Sequence, residues 1–201
     1  LHDNIAIIDV GAENTDIGVF EGSTFVYTNS IPLGGENITN DIALVLNIAY
    51  EEADKLKRQY GLALKSFIDN DNDIILNTCK DSNKNKIIKS SELIEIIEAR
   101  IEEMFLIINK DLTNQGIKSR INNVILTGQG IVNISKSDVA GKINLNIPVK
   151  ISTGRLIGTT KPVYRTSYAL VRYIASRPFT KTVSSSIDTK SDESILKNIF
   201  E

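Results

Sequence analysis

Hydrophobic and polar residues alternate along the first thirty residues of the chain, in the pattern typical of β-strands. The pattern predicts strands at Ile5–Asp9, Asp16–Phe20 and Thr24–Ile31. The turn residues Glu21-Gly22-Ser23 separate the last two strands, so we expect a meander. Further short apolar runs predict strands at Ile74–Leu76, Ile87–Ile88, Asn123–Leu126 and Pro148–Ile151.

The apolar spacing changes to that of helices after Gly35. From Ile38 to Leu46 the apolar residues recur three and four positions apart, which is one face of a helix. A second, shorter helix is expected at Tyr50–Tyr60. Gly61 follows it and is predicted to end it as the C′ residue.

A long helix is predicted in the second half of the chain. We expect Ser90-Ser91 to cap it, with Glu92 favourable in its first turn, and Gly116 to mark its end. A wide stripe of large apolar residues along this helix indicates that it covers the core. The remaining predicted elements are a short helix or turn at Asp138–Ile143 and a last helix at Tyr164–Ala175.

Composition sets a few limits on function. The 201 residues carry a formal net charge of −2, which provides no basic surface for nucleic acid. The single cysteine, Cys79, excludes an internal disulfide framework and favours a reducing cytosol. No apolar run is long enough to span a membrane. The chain starts almost directly on a strand, which indicates a piece of a longer protein.

The loop after the first strand carries the clearest candidate chemistry. Asp9 ends a buried strand, Gly11 follows, and Thr15-Asp16 starts the next strand. Such a turn can present backbone N–H groups to a phosphate while the carboxylate holds Mg²⁺. A β-hairpin with a polar loop explains the same residues equally well. A second glycine turn, at Gly128, also follows a strand, so both turns could face one cleft beyond the strand ends.

Several segments, taken in order, carry a family likeness. The two most specific are Ile38-Thr39-Asn40-Asp41-Ile42-Ala43 and Ala53-Asp54-Lys55-Leu56-Lys57. The others are Ile8-Asp9-Val10-Gly11 with Thr15-Asp16-Ile17, Ile31-Pro32-Leu33-Gly34-Gly35, Ile96-Ile97-Glu98-Ala99-Arg100, Val124-Ile125-Leu126-Thr127-Gly128-Gln129-Gly130 and Pro162-Val163-Tyr164. In this order the chain resembles the second half of FtsA, a bacterial cell-division family of the actin superfamily.

The resemblance implies an α/β fold of the actin-like (ribonuclease H-like) class, with a mixed sheet, flanking helices and a small inserted α+β subdomain. Residues 1–64 and 117–176 would form a nucleotide-binding subdomain, 65–116 an outer subdomain and 177–201 a flexible linker. ATP and Mg²⁺ are the implied cofactors, with the metal held by Asp9 through water. The implied nucleotide contacts are Gly11, Ala12, Glu13, Asn14 and Thr15 in the second phosphate loop, Gly34 and Gly35 before the first helix, Asp54 and Lys57 near the adenosine, and Gly128, Gln129 and Gly130 in the adenosine loop.

Departures from the family pattern affect this site. Ala12 and Glu13 stand where FtsA usually has glycines, and Gln129 replaces another glycine. A Glu13 carboxylate directed at the phosphates, ~4 Å from a second negative charge, would cost about 4 kcal/mol at an effective dielectric of about 20. Directed at solvent, it would leave the backbone N–H free to bind. Asp54 and Lys57 also have a simpler explanation, as an i, i+3 pair on a solvated face.

The sequence also limits the expected activity. It contains no match to the first phosphate loop of the superfamily, so we expect half a site that binds ATP weakly or not at all alone. No general base is visible, and the whole protein is expected to be at most a weak ATPase. The alternatives are a sugar or acetate kinase, a scaffold whose nucleotide site has decayed, and PilM, the actin-like scaffold of type IV pili.

The resemblance implies partners as well. In FtsA the outer subdomain docks the carboxyl-terminal peptide of FtsZ, and the protein polymerises on the inner face of the cell membrane and anchors the FtsZ ring at the division site. Arg100 suits an acidic peptide, although pairing with Glu103 at i+3 explains it equally well. The residues from Arg177 resemble a linker, and Ile195–Phe200 could begin an amphipathic membrane helix.

Overall fold

The computed structural model describes residues 3–76, 86–152 and 165–175. Seven strands are present in these residues. They are β1 (Asn4–Val10), β2 (Thr15–Glu21), β3 (Thr24–Ile31), β4 (Asp73–Leu76), β5 (Lys86–Lys89), β6 (Asn123–Thr127) and β7 (Val149–Ile151). The helices are α1 (Gly35–Leu46), α2 (Tyr50–Tyr60), α3 (Ser90–Asn114), α4 (Ser137–Leu145) and α5 (Arg165–Ala175).

A five-stranded mixed sheet with the order β3-β2-β1-β6-β7 lies at the centre of the fold. The first three strands form the predicted antiparallel meander, whereas β6 runs parallel to both β1 and β7. Strands β4 and β5 form a separate antiparallel pair. The predicted mixed sheet with flanking helices is therefore confirmed, and each predicted strand is found to within two residues at its ends.

Helix α3 covers much of the core. Its apolar stripe, which runs from Leu93 to Leu112, is buried in the same hydrophobic cluster as Ile8 of β1 and Ile42 of α1. Ile74 of β4 and Ile88 of β5 belong to that cluster as well. Because the core is continuous across these elements, the division into subdomains at 65 and 116 stays a prediction.

The start of α3 differs from the prediction. Ser90 and Ser91 do not cap the helix, because the N-cap residue is Lys89. Asp71, from the loop before β4, accepts hydrogen bonds from the Ser91 amide at 2.8 Å and from the Ser90 and Ser91 hydroxyls at 3.1 and 2.9 Å. These hydrogen bonds, led by that from the Ser91 backbone, lower the pKa of Asp71. A carboxylate distant in sequence thus satisfies one of the free amides at the helix start.

Gly61 ends α2 as predicted but not as a left-handed C′ residue, since its φ is −58°. A Cβ atom at Gly61 would lie 2.4 Å from the carbonyl oxygen of Lys57, so glycine is required for space. Gly116 does adopt the left-handed conformation, with φ of +67°, close after the end of α3.

The chain divides into two compact units, residues 1–165 and 166–201. Helix α5, which covers nearly all of the predicted last helix, is described by itself. The predicted linker at 177–201, with Ile195–Phe200, lies outside the described residues, as does residue Cys79. In the described part of the chain, no helix combines the length and hydrophobicity needed to cross a bilayer.

Candidate functional site

Three backbone segments meet at the carboxyl ends of β1 and β6. They are the β1–β2 turn (Gly11–Asn14), the start of α1 (Gly34–Glu36) and the loop after β6 (Gly128–Gly130), which together we call the backbone junction. The amides of Gly35 and Glu36 donate to the carbonyls of Gly11 and Ala12 at 3.0 and 2.8 Å. The Gly130 amide donates to the Val10 carbonyl at 2.9 Å. The two glycine turns predicted to face one cleft are therefore in direct contact.

The glycines of the junction allow backbone to pack against backbone. A Cβ atom at Gly34 would lie 2.3 Å from the Ala12 oxygen, and one at Gly35 would lie 2.5 Å from the Cα of Gly130. The corresponding distance at Gly128 is 2.1 Å, to the Val10 oxygen. No side chain fits at these distances, so the packing of the backbone requires glycine here whether or not a ligand binds. Their predicted contact with a nucleotide stays a prediction.

The β1–β2 turn leaves two consecutive amides free. The Gly11 amide donates to the Asn14 carbonyl at 2.8 Å, which closes the turn. The carbonyls of Gly11 and Ala12 point at α1, and in a trans peptide the N–H lies opposite the C=O. The amides of Ala12 and Glu13 therefore point away from α1, and neither has an acceptor among the described residues. Successive free amides of this kind form an anion-binding concavity.

A cavity of about 280 Å³ opens beside the junction. One face of α2 forms a wall of it, because residues 50, 54, 57 and 58 are spaced one helical turn apart. The lining residues are Ala12, Gly35, Glu36, Tyr50, Asp54, Lys57, Arg58, Gln129, Gly130, Asn133 and Ile134.

The ammonium group of Lys57 forms hydrogen bonds with α1 and an ion pair within α2. Its Nζ donates to the carbonyl of Gly35 at 2.9 Å and to the hydroxyl of Thr39 at 2.5 Å, and it lies 3.4 Å from Asp54. Burial lowers the pKa of Lys57, and the charge of Asp54 opposes that shift. The predicted pair of Asp54 and Lys57 is present, but Lys57 is mostly buried rather than on a solvated face.

Two carboxylates flank the turn. Asp9 and Asp16 are direct cross-strand partners, so their side chains lie on the same face of the sheet. Burial, and then the charge of Asp16, raises the pKa of Asp9. Neither carboxylate pairs with a Lys or Arg in the described part of the chain. No cluster of three or more potential metal ligands occurs there either.

The structure places the predicted nucleotide and metal residues in four different environments. Six of them line the cavity: Ala12, Gly35, Asp54, Lys57, Gln129 and Gly130. Gly11, Gly34 and Gly128 lie in the junction itself, with Asp9 against Gly128. Glu13 and Asn14 are exposed and outside the cavity lining, so the Glu13 carboxylate is not directed inward. Thr15 is buried and its hydroxyl donates to the Leu33 carbonyl at 2.7 Å.

Sequence reasoning missed five residues that line the cavity. They are Glu36, Tyr50, Arg58, Asn133 and Ile134. The helical spacing of Tyr50 and Arg58 relative to Asp54 is a signal that could have found two of them. Nothing in the local sequence marks Asn133 or Ile134, because they reach the cavity through the path of a loop, which has no periodic pattern.

Arg100 lies away from the cavity. Its predicted pairing with Glu103 is confirmed. Its guanidinium also forms a bidentate ion pair with Asp41 of α1. The hydrogen bonds that the guanidinium donates to Asp41 raise the pKa of Arg100. Arg100 thus connects α3 to α1, and its contact with a peptide partner stays a prediction.

Known proteins resemble this chain in sequence and in fold. The family model "Cell division protein FtsA" matches residues 6–169. FtsA of Bacillus subtilis is 33% identical over 169 residues, which is 84% of this chain and 38% of that protein. FtsA of Escherichia coli is 25% identical over 182 residues, which is 84% of this chain and 43% of that protein. The chain thus spans about two fifths of the length of these relatives.

Solved structures share the fold at lower identity. MreB5 of Spiroplasma citri bound to ADP superposes with a TM-score of 0.67 at 20% identity, over 88% of this chain and 57% of that one. A PilM–PilN complex of type IV pilus biogenesis gives a TM-score of 0.57 at 16% identity, over 76% of this chain and 36% of that one. The predicted actin-like fold is confirmed, and the chain belongs to the FtsA family of cell-division proteins.

Proposed function

We propose that this chain is the second lobe of an actin-like cell-division protein and supplies half of an ATP site. The observation that carries the proposal is the pair of free amides at Ala12 and Glu13, beside a cavity lined by glycine backbone. Two adjacent N–H donors, in a turn whose own Glu13 carboxylate is exposed, suit the phosphates of a nucleotide. The bound ADP in the related MreB5 structure supports the same class of ligand.

The residues around the turn fit a magnesium ion as well. Mg²⁺ prefers carboxylate oxygens and water, and it usually accompanies nucleotide phosphates. Asp9 and Asp16 are carboxylates on one face without a cationic partner among the described residues, so they would hold the ion, Asp9 through water. The ion would supply positive charge to the phosphates.

Other residues of the cavity lining suit the nucleoside. Asp54 has an accessible carboxylate there, which can accept hydrogen bonds from ribose hydroxyls. The loop from Gly128 to Gly130 would pass the adenosine with its backbone. The Thr15 hydroxyl already donates a hydrogen bond to the Leu33 carbonyl, so Thr15 would contribute to nucleotide binding only by shaping the turn.

Binding by this chain alone is expected to be weak, since an actin-like cleft takes its nucleotide between two lobes. We propose a dissociation constant in the millimolar range for MgATP, which corresponds to about 4 kcal/mol. Any hydrolysis by the whole protein would be slow. Isothermal titration calorimetry of the chain with MgATP tests this, and submicromolar affinity would contradict it.

At the level of the cell, we propose that the whole protein polymerises at the membrane and anchors the FtsZ ring. The family membership of residues 6–169 supports this role. Pull-down with an FtsZ carboxyl-terminal peptide tests it directly, with a scrambled peptide as the control. Retention equal to that on the scrambled peptide would count against it.

Arg100 is proposed to contribute to that peptide interface. Its ion pairs with Asp41 and Glu103 leave about a quarter of its side chain exposed, at 23%. Arg100→Glu should reduce peptide binding, with Arg120→Glu as the matched control on another ion pair. Unchanged affinity in Arg100→Glu would remove Arg100 from the interface.

A pilus-assembly scaffold is the second candidate, supported by the likeness to PilM in the PilM–PilN complex. That likeness is at 16% identity and concerns the fold. Capture of a pilus-assembly peptide in place of the FtsZ peptide would favour it.

A further inference from the structure

We propose that a surface groove beside the start of α3 binds a peptide segment that carries a Lys or Arg next to a large apolar side chain. The groove has a volume of about 340 Å³ and shares no lining residue with the cavity beside the backbone junction. We call it the Phe67 groove, and residues between 60 and 72 line it together with Ser90 and Ile94 of α3. The proposal depends neither on the nucleotide site nor on the FtsZ-peptide interface at Arg100.

The apolar part of the groove suits a large aliphatic or aromatic side chain. Ile94 is buried, and Tyr60, Leu62 and Ile68 are half-buried. Phe67 is 42% exposed, so much of its ring is in contact with water. Burial of such surface against a partner is favourable, and aromatic side chains contribute strongly to interfaces.

The turn that carries Phe67 is fixed before any partner arrives. The Lys65 amide donates to the Glu98 carboxylate of α3 at 2.9 Å, and the Lys65 ammonium pairs with Glu95 at 2.7 Å. The Lys136 ammonium lies 4.9 Å from the centroid of the Phe67 ring, in a cation–π contact. A partner therefore meets a preformed groove, which reduces the entropy lost on binding.

The charge of the groove lining selects a cation. Asp69 is the one charged residue in the lining. Its carboxylate has neither a hydrogen bond nor an ion pair among the described residues. The lysines nearest to it in sequence are already paired, Lys65 with Glu95 and Lys89 with Asp73. A cationic side chain of a partner can therefore pair with Asp69 without displacing a lysine.

The other charges beside the groove leave an excess of negative charge. Asp71 and Glu98 accept hydrogen bonds but form no ion pair with a lysine or arginine in the described part of the chain. Lys136 lies over the Phe67 ring and likewise has no carboxylate partner there. With Asp69, three carboxylates thus face one ammonium, and this balance favours a cationic partner over an anionic one.

The backbone beside Asp69 provides free donors. The amides of Asp69, Asn70 and Asp71 have no acceptor among the described residues. The Asn72 amide, in contrast, donates to the Asn70 carbonyl at 3.1 Å. Three consecutive exposed residues with free amides can bind the carbonyls of a peptide main chain. A peptide with an apolar and a cationic side chain therefore matches the apolar lining, the free carboxylate and the free amides together.

The test is an NMR titration of the ¹⁵N-labelled 201-residue chain with the blocked peptide N-acetyl-Gly-Phe-Arg-Gly-amide. We expect saturable shifts of the Asp69, Asn70 and Asp71 amides, with a dissociation constant in the millimolar range. The same peptide with Glu in place of Arg should bind about fivefold more weakly, because an exposed charge pair is lost. The peptide with Ala in place of Phe should bind about tenfold more weakly, because the apolar contact is lost.

A variant of Asp69 tests the origin of the charge preference. Asp69→Asn keeps the shape of the side chain and should weaken binding of the Arg peptide about fivefold. Added salt should weaken that peptide in the wild type and have less effect in Asp69→Asn. Asp3→Asn, which removes an exposed carboxylate just before β1, is the matched control and should bind both peptides as the wild type does.

Three results would overturn the proposal. One is equal binding of the Arg and Glu peptides by the wild type, and another is unchanged affinity in Asp69→Asn. The third is an absence of saturable shifts at residues 69–71. If these amides instead shift with protein concentration alone, a second copy of the chain occupies the groove and the peptide assignment is wrong. The FtsZ-peptide pull-down is a separate experiment, so its failure leaves this result unaffected.

Discussion

The backbone junction and the region around β4, β5 and the start of α3 are held together in opposite ways. In the junction, amides bond to carbonyls of other segments, and glycines such as Gly35 and Gly130 leave no space for a Cβ. Around β4 and β5 the polar contacts are made by side chains. Asp71 caps α3, and Asp73 forms an exposed ion pair with Lys89. The first region requires glycine, because no other residue lacks a Cβ. In the second, water can replace the polar contacts at the surface, although Ile74 and Ile88 still anchor the strands in the core.

The largest expected effect is in the junction. Gly130→Ala would place a Cβ 2.2 Å from the Gly11 carbonyl oxygen, and we expect a loss of about 3 kcal/mol in unfolding free energy from overpacking. Gly116→Ala is the control, because it has open space and only its φ of +67° to strain it, at about 1 kcal/mol. Urea denaturation followed by circular dichroism measures both. Equal losses in the two variants would show that the close packing around Gly130 contributes nothing beyond backbone strain.

The next effect concerns the cap supplied by Asp71. Asp71→Ala leaves the Ser91 amide and two hydroxyls without their acceptor, so we expect a loss of about 1 kcal/mol, typical of an N-cap. The exposed neighbour Asp69 provides the control, as Asp69→Ala should stay within about 0.5 kcal/mol of the wild type. A neutral Asp71→Ala in the same urea experiment would show that water caps α3 equally well.

A smaller effect, of opposite sign, is expected at Asp9. Burial and Asp16 raise the pKa of Asp9, so the folded chain binds this proton more tightly than the unfolded chain does. The ionised carboxylate therefore lowers stability as pH rises from about 4 through the raised pKa. Asp9→Asn should increase unfolding free energy by about 0.5–1 kcal/mol at neutral pH, and the gain should vanish at acid pH. A loss of stability at pH 7 would contradict this.

The smallest effect should be at the ion pair of Asp73 and Lys89. Both side chains are more than half exposed, and exposed pairs contribute roughly 0–1 kcal/mol. Asp73→Ala should change the unfolding free energy by less than about 0.5 kcal/mol, and added salt should erase the difference. A loss as large as that of Asp71→Ala would show that the exposed ion pair holds β4 and β5 together.

The helices and strands were predictable because their signals are local, whereas the actin-like arrangement came from the family resemblance. Period-two runs give the strands of the sheet, and the apolar stripe of α3 gives its length. The cap at Asp71 was not predictable, because it depends on how a loop nineteen or twenty positions away packs against Ser90 and Ser91. The pair of Arg100 with Asp41 is likewise a contact between helices distant in sequence.

The site was predictable only where the family motifs mark its residues. Family resemblance located the glycines, but only the structure shows that Gly34 and Gly35 pack against backbone. Sequence left the direction of Glu13 open, and the turn geometry places it in solvent. Tyr50 and Arg58 carry a helical spacing signal, whereas Asn133 and Ile134 reach the cavity only through a loop.

A comparison of MgATP with adenosine in ¹H–¹⁵N spectra of the chain shows whether the β1–β2 turn binds phosphates. If the β1–β2 turn holds phosphates, MgATP should shift the amides of Ala12 and Glu13 saturably at millimolar concentration, and adenosine should leave both in place. The Gly11 amide, already bonded to Asn14, should move less than either. Ala12 and Glu13 amides that respond to neither ligand, or equally to both, would exclude a phosphate site in this turn.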